Sequence, residues 1–267
     1  MNAVAKREIE SQVVEQLGPV FERTQRQPPE TLSSGISEFD QAFGGVPRGA
    51  ITEIHGGASS GQTSLMLATL AAAAANDEIC ALIDCSGTFD LLSAAKAGVR
   101  FDRLLWIRCH DDLERAFKST DLLLHGGGFG LIVLSLADMP ARTLRRIVST
   151  WWFRFRRAIE NTPTALLVLT PVACARSCAS LALQTRNEAA VWGATDSGRA
   201  EKPAPMLDAR SLKHLSLVAW EAEPSRALVP NHAYFLTATG VQVNRERPVA
   251  QSSRTARFMP ALLDGVR

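Results

Sequence analysis

The 267-residue sequence predicts an α/β fold: a mostly parallel twisted sheet with helices on both faces and an antiparallel C-terminal extension. Three observations predict it. From residue 33 onward, short apolar runs alternate with helix-forming segments. The runs are continuously apolar, as in strands covered on both faces. One strand–helix junction, "EIHGGASSGQTS" at 53–64, carries the glycine-rich turn of a phosphate-binding loop.

The elements follow in chain order. Ile9, Val13, Leu17 and Phe21 recur every four residues, an amphipathic helix over 4–24, and Pro28-Pro29 then marks a linker. "AITEIHG" reads as a strand and "GQTSLMLATLAAAAA" as a helix of strong formers. "ICALIDC" is a strand, and "DLLSAAKAG" a helix that Gly98 stops. "RLLWIRC" and "GLIVLSL" are strands around the helix "DDLERAFKSTDLLLHGG". One long helix, "ARTLRRIVSTWWFRFRRAIE", then leads to the strand "TALLVLTP". After Pro171, "SLALQTR", "HLSLVAWEAE" and "AYFLTATGVQV" read as strands that extend the sheet in antiparallel fashion around a polar loop at 193–210. Residues 244–267, with five arginines against two acids, read as a flexible basic tail. The domain division is thus 1–31 as helix and linker, 32–243 as core, and 244–267 as tail.

Composition is that of a globular chain: 46% hydrophobic, 21% charged, net charge +2. The longest apolar run, "LATLAAAAA", is too short to span a bilayer, and the charged N-terminus lacks a secretory core, so no membrane role and a cytoplasmic location are expected. Cys80, Cys85, Cys109, Cys174 and Cys178 read as reduced core residues, and no metal site is expected.

The loop matches the pattern G-x-x-x-x-G-K-[ST] at Gly56, Gly61 and Thr63, but Gln62 stands where the lysine belongs. Ser59, Ser60 and Ser64 complete the candidate, and doubtful, nucleotide-binding set. The backbone nest and the helix N-terminus do not depend on the side chain at 62, so a phosphate or ATP can still bind weakly. What is lost is one full charge, worth roughly 4 kcal/mol at 4 Å and an effective dielectric near 20, or about a thousandfold. The later strand that should end in a magnesium-holding aspartate ends in Ser135, and Asp138, three residues on, is no obvious substitute at the strand tip.

The stretch from "TLSSGISEFDQAFGGVPRG" through the loop, the "ALID" strand and the "AGV" helix end resembles the ATPase core of the RecA recombinases over residues 32–185. The resemblance implies a RecA-like P-loop core. It places the glutamate that activates water at Ser86, so the lysine, aspartate and glutamate positions hold Gln62, Ser135 and Ser86. Short chains with eroded ATPase motifs of this kind resemble the ImuA family, sometimes labelled SulA-like. That likeness implies a non-hydrolysing accessory protein of SOS-induced translesion synthesis and mutagenesis. Its implied partners are RecA, an ImuB-like Y-family polymerase homologue and, indirectly, an error-prone replicative-type polymerase. No catalytic residue and no cofactor are then expected. The alternatives are a working RecA-like ATPase or recombination mediator with catalytic groups from a neighbouring subunit, and a SulA-like cell-division inhibitor.

The long helix carries a second candidate. At 100° per residue, Leu144, Ile147, Val148, Trp151, Phe155, Ala158 and Ile159 share one face. Arg142, Arg145, Arg146, Arg156 and Arg157 gather opposite with Phe153 among them, and Arg154 lies to one side. This is either a solvated face or a surface for DNA phosphate or an acidic partner.

Overall fold

The computed structural model describes residues 30–192, 236–248 and 254–258. The helix expected at 4–24, the strand at "HLSLVAWEAE", the polar loop at 193–210 and the end of the chain beyond Phe258 lie outside the described residues.

The elements are β1 (Thr31–Leu32), α1 (Ser37–Phe43), β2 (Val46–Pro47), β3 (Ala50–His55), α2 (Gln62–Ala75), β4 (Cys80–Asp84), α3 (Leu91–Lys96), β5 (Leu104–Arg108), α4 (Leu113–Gly126), β6 (Leu131–Ser135), α5 (Ala141–Leu144), α6 (Ser149–Ile159), β7 (Ala165–Thr170), β8 (Leu181–Trp192), β9 (Leu236–Arg247) and β10 (Thr255–Phe258). Among the described residues, eight of the ten strands form one sheet, in the order β10-β9-β8-β3-β7-β6-β4-β5. The pairings from β8 through β5 are parallel, and β9 and β10 add antiparallel strands at one edge. The α/β class read from the sequence is what the chain adopts.

Strand alternation splits the core into two layers. Ile54, Leu82, Val133, Leu167 and Leu183 point to one face, where Leu65, Met66 and Leu70 of α2 cover them. Ile51, Ile83, Leu134, Leu166 and Val168 point to the other, beneath Phe117 of α4 and Trp152, Phe155 and Ile159 of α6. All five cysteines are free and buried. Burial pushes the Cys80 and Cys85 thiols up to about 12, which keeps them protonated and unreactive at neutral pH. Among the described residues, no helix is long and apolar enough to cross a membrane.

Two expectations change. The segment from 244 is sheet where it is described: β9 runs on to Arg247, and Thr255–Phe258 pairs with it from Asn244 back to Val241. Ala256 and Phe258 are buried, and Arg245 and Arg254 both donate to the Ala42 carbonyl near the end of α1. Arginine content misled here, because the alternate residues of β10 are apolar and face the core.

The single helix expected at 141–160 is two. Arg146 and Ile147 bond back three residues, to Thr143 and Leu144, and Val148 is extended at φ −69°, ψ 132°. These tight turns rotate α6 relative to α5. As a result Trp152 is fully buried, Trp151 is only partly so, and Val148 is 59% exposed instead of facing the core.

Candidate functional site

The loop between β3 and α2 is built by its neighbours. β3 is central and buried, with β7 and β8 in parallel on its two sides. Gly56 N–H donates to the Thr170 carbonyl at 3.1 Å, which fixes the exit of the strand. The chain then turns through Ser59 at φ 58° and Gly61 at φ 88°, and Leu65 N–H to Gly61 carbonyl opens α2. Left-handed backbone at Gly61 favours glycine, and so does the space: a Cβ there would stand 2.5 Å from Val241 of β9. A Cβ at Gly56 would run into Thr185 and Ser60. The glycines thus keep a loop that β8 and β9 close over.

Gln62 decides what this loop can do. Its side chain is buried, and its Nε2 donates to the Gly56 carbonyl at 2.8 Å and to Ser60 Oγ at 3.3 Å. The amide therefore folds back into the loop instead of reaching out as a charge toward phosphates. Thr185 Oγ1, 2.9 Å from Ser60 Oγ, extends the same network to β8. His55 Nε2 lies 2.9 Å from Glu246 Oε2, so β9 is also clipped to the strand that feeds the loop. Ser59 and Thr63 stay exposed and Ser64 is half-buried. No full positive charge points into the nest from position 62.

Beside the loop is a cavity of about 30 Å³, lined among others by Thr63, Asp84, Thr88, Ser135 and Asp138. That is room for about one water. Ser135 stands on this wall, whereas Ser86 does not, and the buried Ser86 hydroxyl has no hydrogen-bond partner among the described residues. Asp138, read from the sequence as no substitute at the strand tip, does reach this cavity. The bend after β6 carries it there, and Thr88 Oγ1 donates to its Oδ2 at 2.7 Å.

Two carboxylates missed in the sequence hold the surrounding turns. Asp84, at the end of β4, accepts from the N–H groups of Gly87, Thr88 and Phe89 and from Trp106 Nε1. It shapes the turn that carries Ser86, and its oxygens are already engaged. Glu53, buried on β3, accepts from Cys174 N–H at 2.6 Å and Ala175 N–H at 2.9 Å, fixing the connection from β7 to β8. Burial, with Glu53 beside it, pushes the Cys174 thiol well above its ordinary value. An acid inside an apolar strand was the available signal for both.

The arginine candidates do not share one helix face. Arg142 lies on α5 and Arg145 and Arg146 on the turn after it, while Phe153, Arg156 and Arg157 lie on α6. Phe153 is 52% exposed, and all five of these arginines are exposed. Arg154 is different: it makes a two-pronged pair with Asp121 of α4, both contacts at 2.6 Å. That bond joins two helices and removes Arg154 from any free basic surface.

The RecA N-terminal domain family matches residues 4–143 of the chain. Among curated relatives, the RecA protein of Methylobacterium sp. (strain 4-46) is 40% identical over 116 residues, 42% of this chain and 32% of that protein. The RecA protein of Colwellia psychrerythraea is 40% identical over 107 residues, 39% of this chain and 31% of that protein. The matched stretch thus spans about a third of those relatives' length.

Proposed function

Because the chain belongs to the RecA N-terminal domain family, we propose that it is a catalytically degenerate member. It works as a cytoplasmic accessory protein of damage-induced translesion synthesis, in the manner of the ImuA family. It acts by binding RecA and an ImuB-like polymerase homologue, and through the latter an error-prone replicative-type polymerase. DNA contact through Phe153, Arg156 and Arg157 belongs to the same reading. It turns over no ATP and needs no cofactor, beyond weak phosphate binding at the loop.

One observation carries this reading: the Gln62 amide is bonded inside the loop, to Gly56 and Ser60, where the family motif has a lysine directed at phosphate. Ser135 at the cavity wall and Ser86 outside it support it, since neither supplies a carboxylate. Electrostatic stabilisation of the transferring phosphoryl group would then be missing at all three positions.

The purified protein is expected to hydrolyse ATP no faster than buffer, with or without DNA, and to capture RecA and the polymerase homologue in pull-downs. DNA-stimulated turnover that disappears in Gln62→Ala would overturn the reading. The second reading, an ATPase completed by a neighbouring subunit, is favoured by exposed Thr63 and by Asp138 at the cavity wall. It requires measurable nucleotide binding by calorimetry, and a protein that shows none ends it.

A further inference from the structure

The break between α5 and α6 opens a groove that the function proposed above does not use. Leu113 and Phe117 of α4 face Arg146, Ile147, Val148 and Trp151 across it, and it encloses about 300 Å³. That is the lower end of what ligand pockets enclose. The floor is apolar, with Phe117 and Trp151 packed edge to face at 5.6 Å between ring centres. Val148 stands 59% exposed at the mouth, held there by its extended backbone.

The rims differ in how their charges are spent. On the α4 side, Glu114 is paired with Lys118 at 2.7 Å and Asp112 with Arg115 at 3.7 Å. On the other side Arg146 lines the groove, and Arg142 and Arg145 precede it on α5 and its C-terminal turn, all three exposed. Among the described residues none of the three has a carboxylate within ion-pair distance. The groove is therefore apolar inside and net positive at its edge, with its own acids already neutralised.

We propose that this groove docks an acidic amphipathic segment of a partner protein. Two aliphatic or aromatic side chains enter beside Val148 and Trp151, and flanking carboxylates meet Arg142, Arg145 and Arg146. Nucleic acid fits less well. It would use the arginines but leave the apolar floor bare, and Trp151 is not free to stack on a base: Phe117 packs against it and the Arg154 guanidinium lies 5.9 Å from its ring centre. The inference does not depend on whether the loop at 56–61 binds nucleotide.

Fluorescence anisotropy with three labelled probes tests it: a short synthetic helix with leucine and phenylalanine on one face and glutamates on the other, the same peptide with serines at the apolar positions, and oligo(dT). The amphipathic peptide should bind and the serine peptide should not. Val148→Glu, at a 59% exposed position where the melting temperature should stay in place, should weaken the amphipathic peptide about tenfold or more, about 1.4 kcal/mol. Reversing Arg145 and Arg146 to Glu together should do the same and flatten the salt dependence. Equal binding of the two peptides, binding unaffected by Val148→Glu, oligo(dT) displacing the peptide, or no peptide binding at all would each overturn the proposal.

Discussion

The loop at 56–61 and the break at 145–148 treat polar groups in opposite ways. The loop has Gln62 where the motif has a lysine, and its buried polar side chains bond inward, Gln62 Nε2 to Gly56 and Ser60, with Thr185 of β8 on Ser60. The break has lost the regular helix the sequence suggests but keeps its charges, which are exposed and, among the described residues, have no carboxylate within ion-pair distance. Donors such as the Gln62 amide N–H, once bonded within the loop, are not offered to a ligand. A surface whose cations lack partners while its neighbours' acids are paired retains capacity to bind.

The largest expected effect tests the geometry of the break. Trp152→Ala should destabilise the protein by about 3–5 kcal/mol, the range for deleting a buried aromatic, and Trp151→Ala by clearly less. Equal losses in denaturant titrations would mean that the tight turn does not set the phase of α6. Next comes the closure of the loop. Gly61→Ala meets a left-handed backbone and Val241 together, and should cost about 2–4 kcal/mol. A melting temperature left in place would show that β9 does not pack on the loop.

Gln62→Ala should cost about 1–2 kcal/mol, because the buried Gly56 carbonyl and Ser60 hydroxyl lose a donor. Stability unchanged in this variant, measured by urea unfolding, would remove the inward amide from the comparison. The smallest effect belongs to the exposed arginines: Arg156→Gln with Arg157→Gln should shift stability by less than about 0.5 kcal/mol. Such a variant should still weaken any DNA binding that salt also weakens. A large stability loss would mean these arginines are structural and not held in reserve.

Much of this was legible in the sequence. Strands such as "ICALIDC" and "TALLVLTP" are apolar throughout because both faces of the sheet are covered, so composition alone marks them. The loop was legible because its spacing is fixed by backbone geometry. Contacts that depend on which residues meet across the fold were not. Asp138 reaches the cavity only because the chain bends after β6, and Gln62 reads as a lost lysine until its amide is seen bonded to Gly56. The break at 145–148 escaped because Ile147 and Val148 continue the apolar period of a helix, and period cannot register three-residue hydrogen bonds. The basic end of the chain escaped because arginines outnumber the few buried positions of β10.

The packing of Val241 on Gly61 and the pairing of Glu246 with His55 also bear on how the protein is made. The contacting residues are about two hundred positions apart; His55 and Glu246 differ by 191. Contacts this distant along a chain form slowly, because a long loop must close before they contribute. During synthesis the phosphate loop and its helix emerge well before β9 exists. The nascent loop is therefore bare on the side that β9 later covers, and its final shape is reached only when the last strands arrive. The same dependence makes the loop a reporter on the far end of the chain: a truncation before residue 236 removes no part of it, yet uncovers Gly61 and leaves His55 without Glu246.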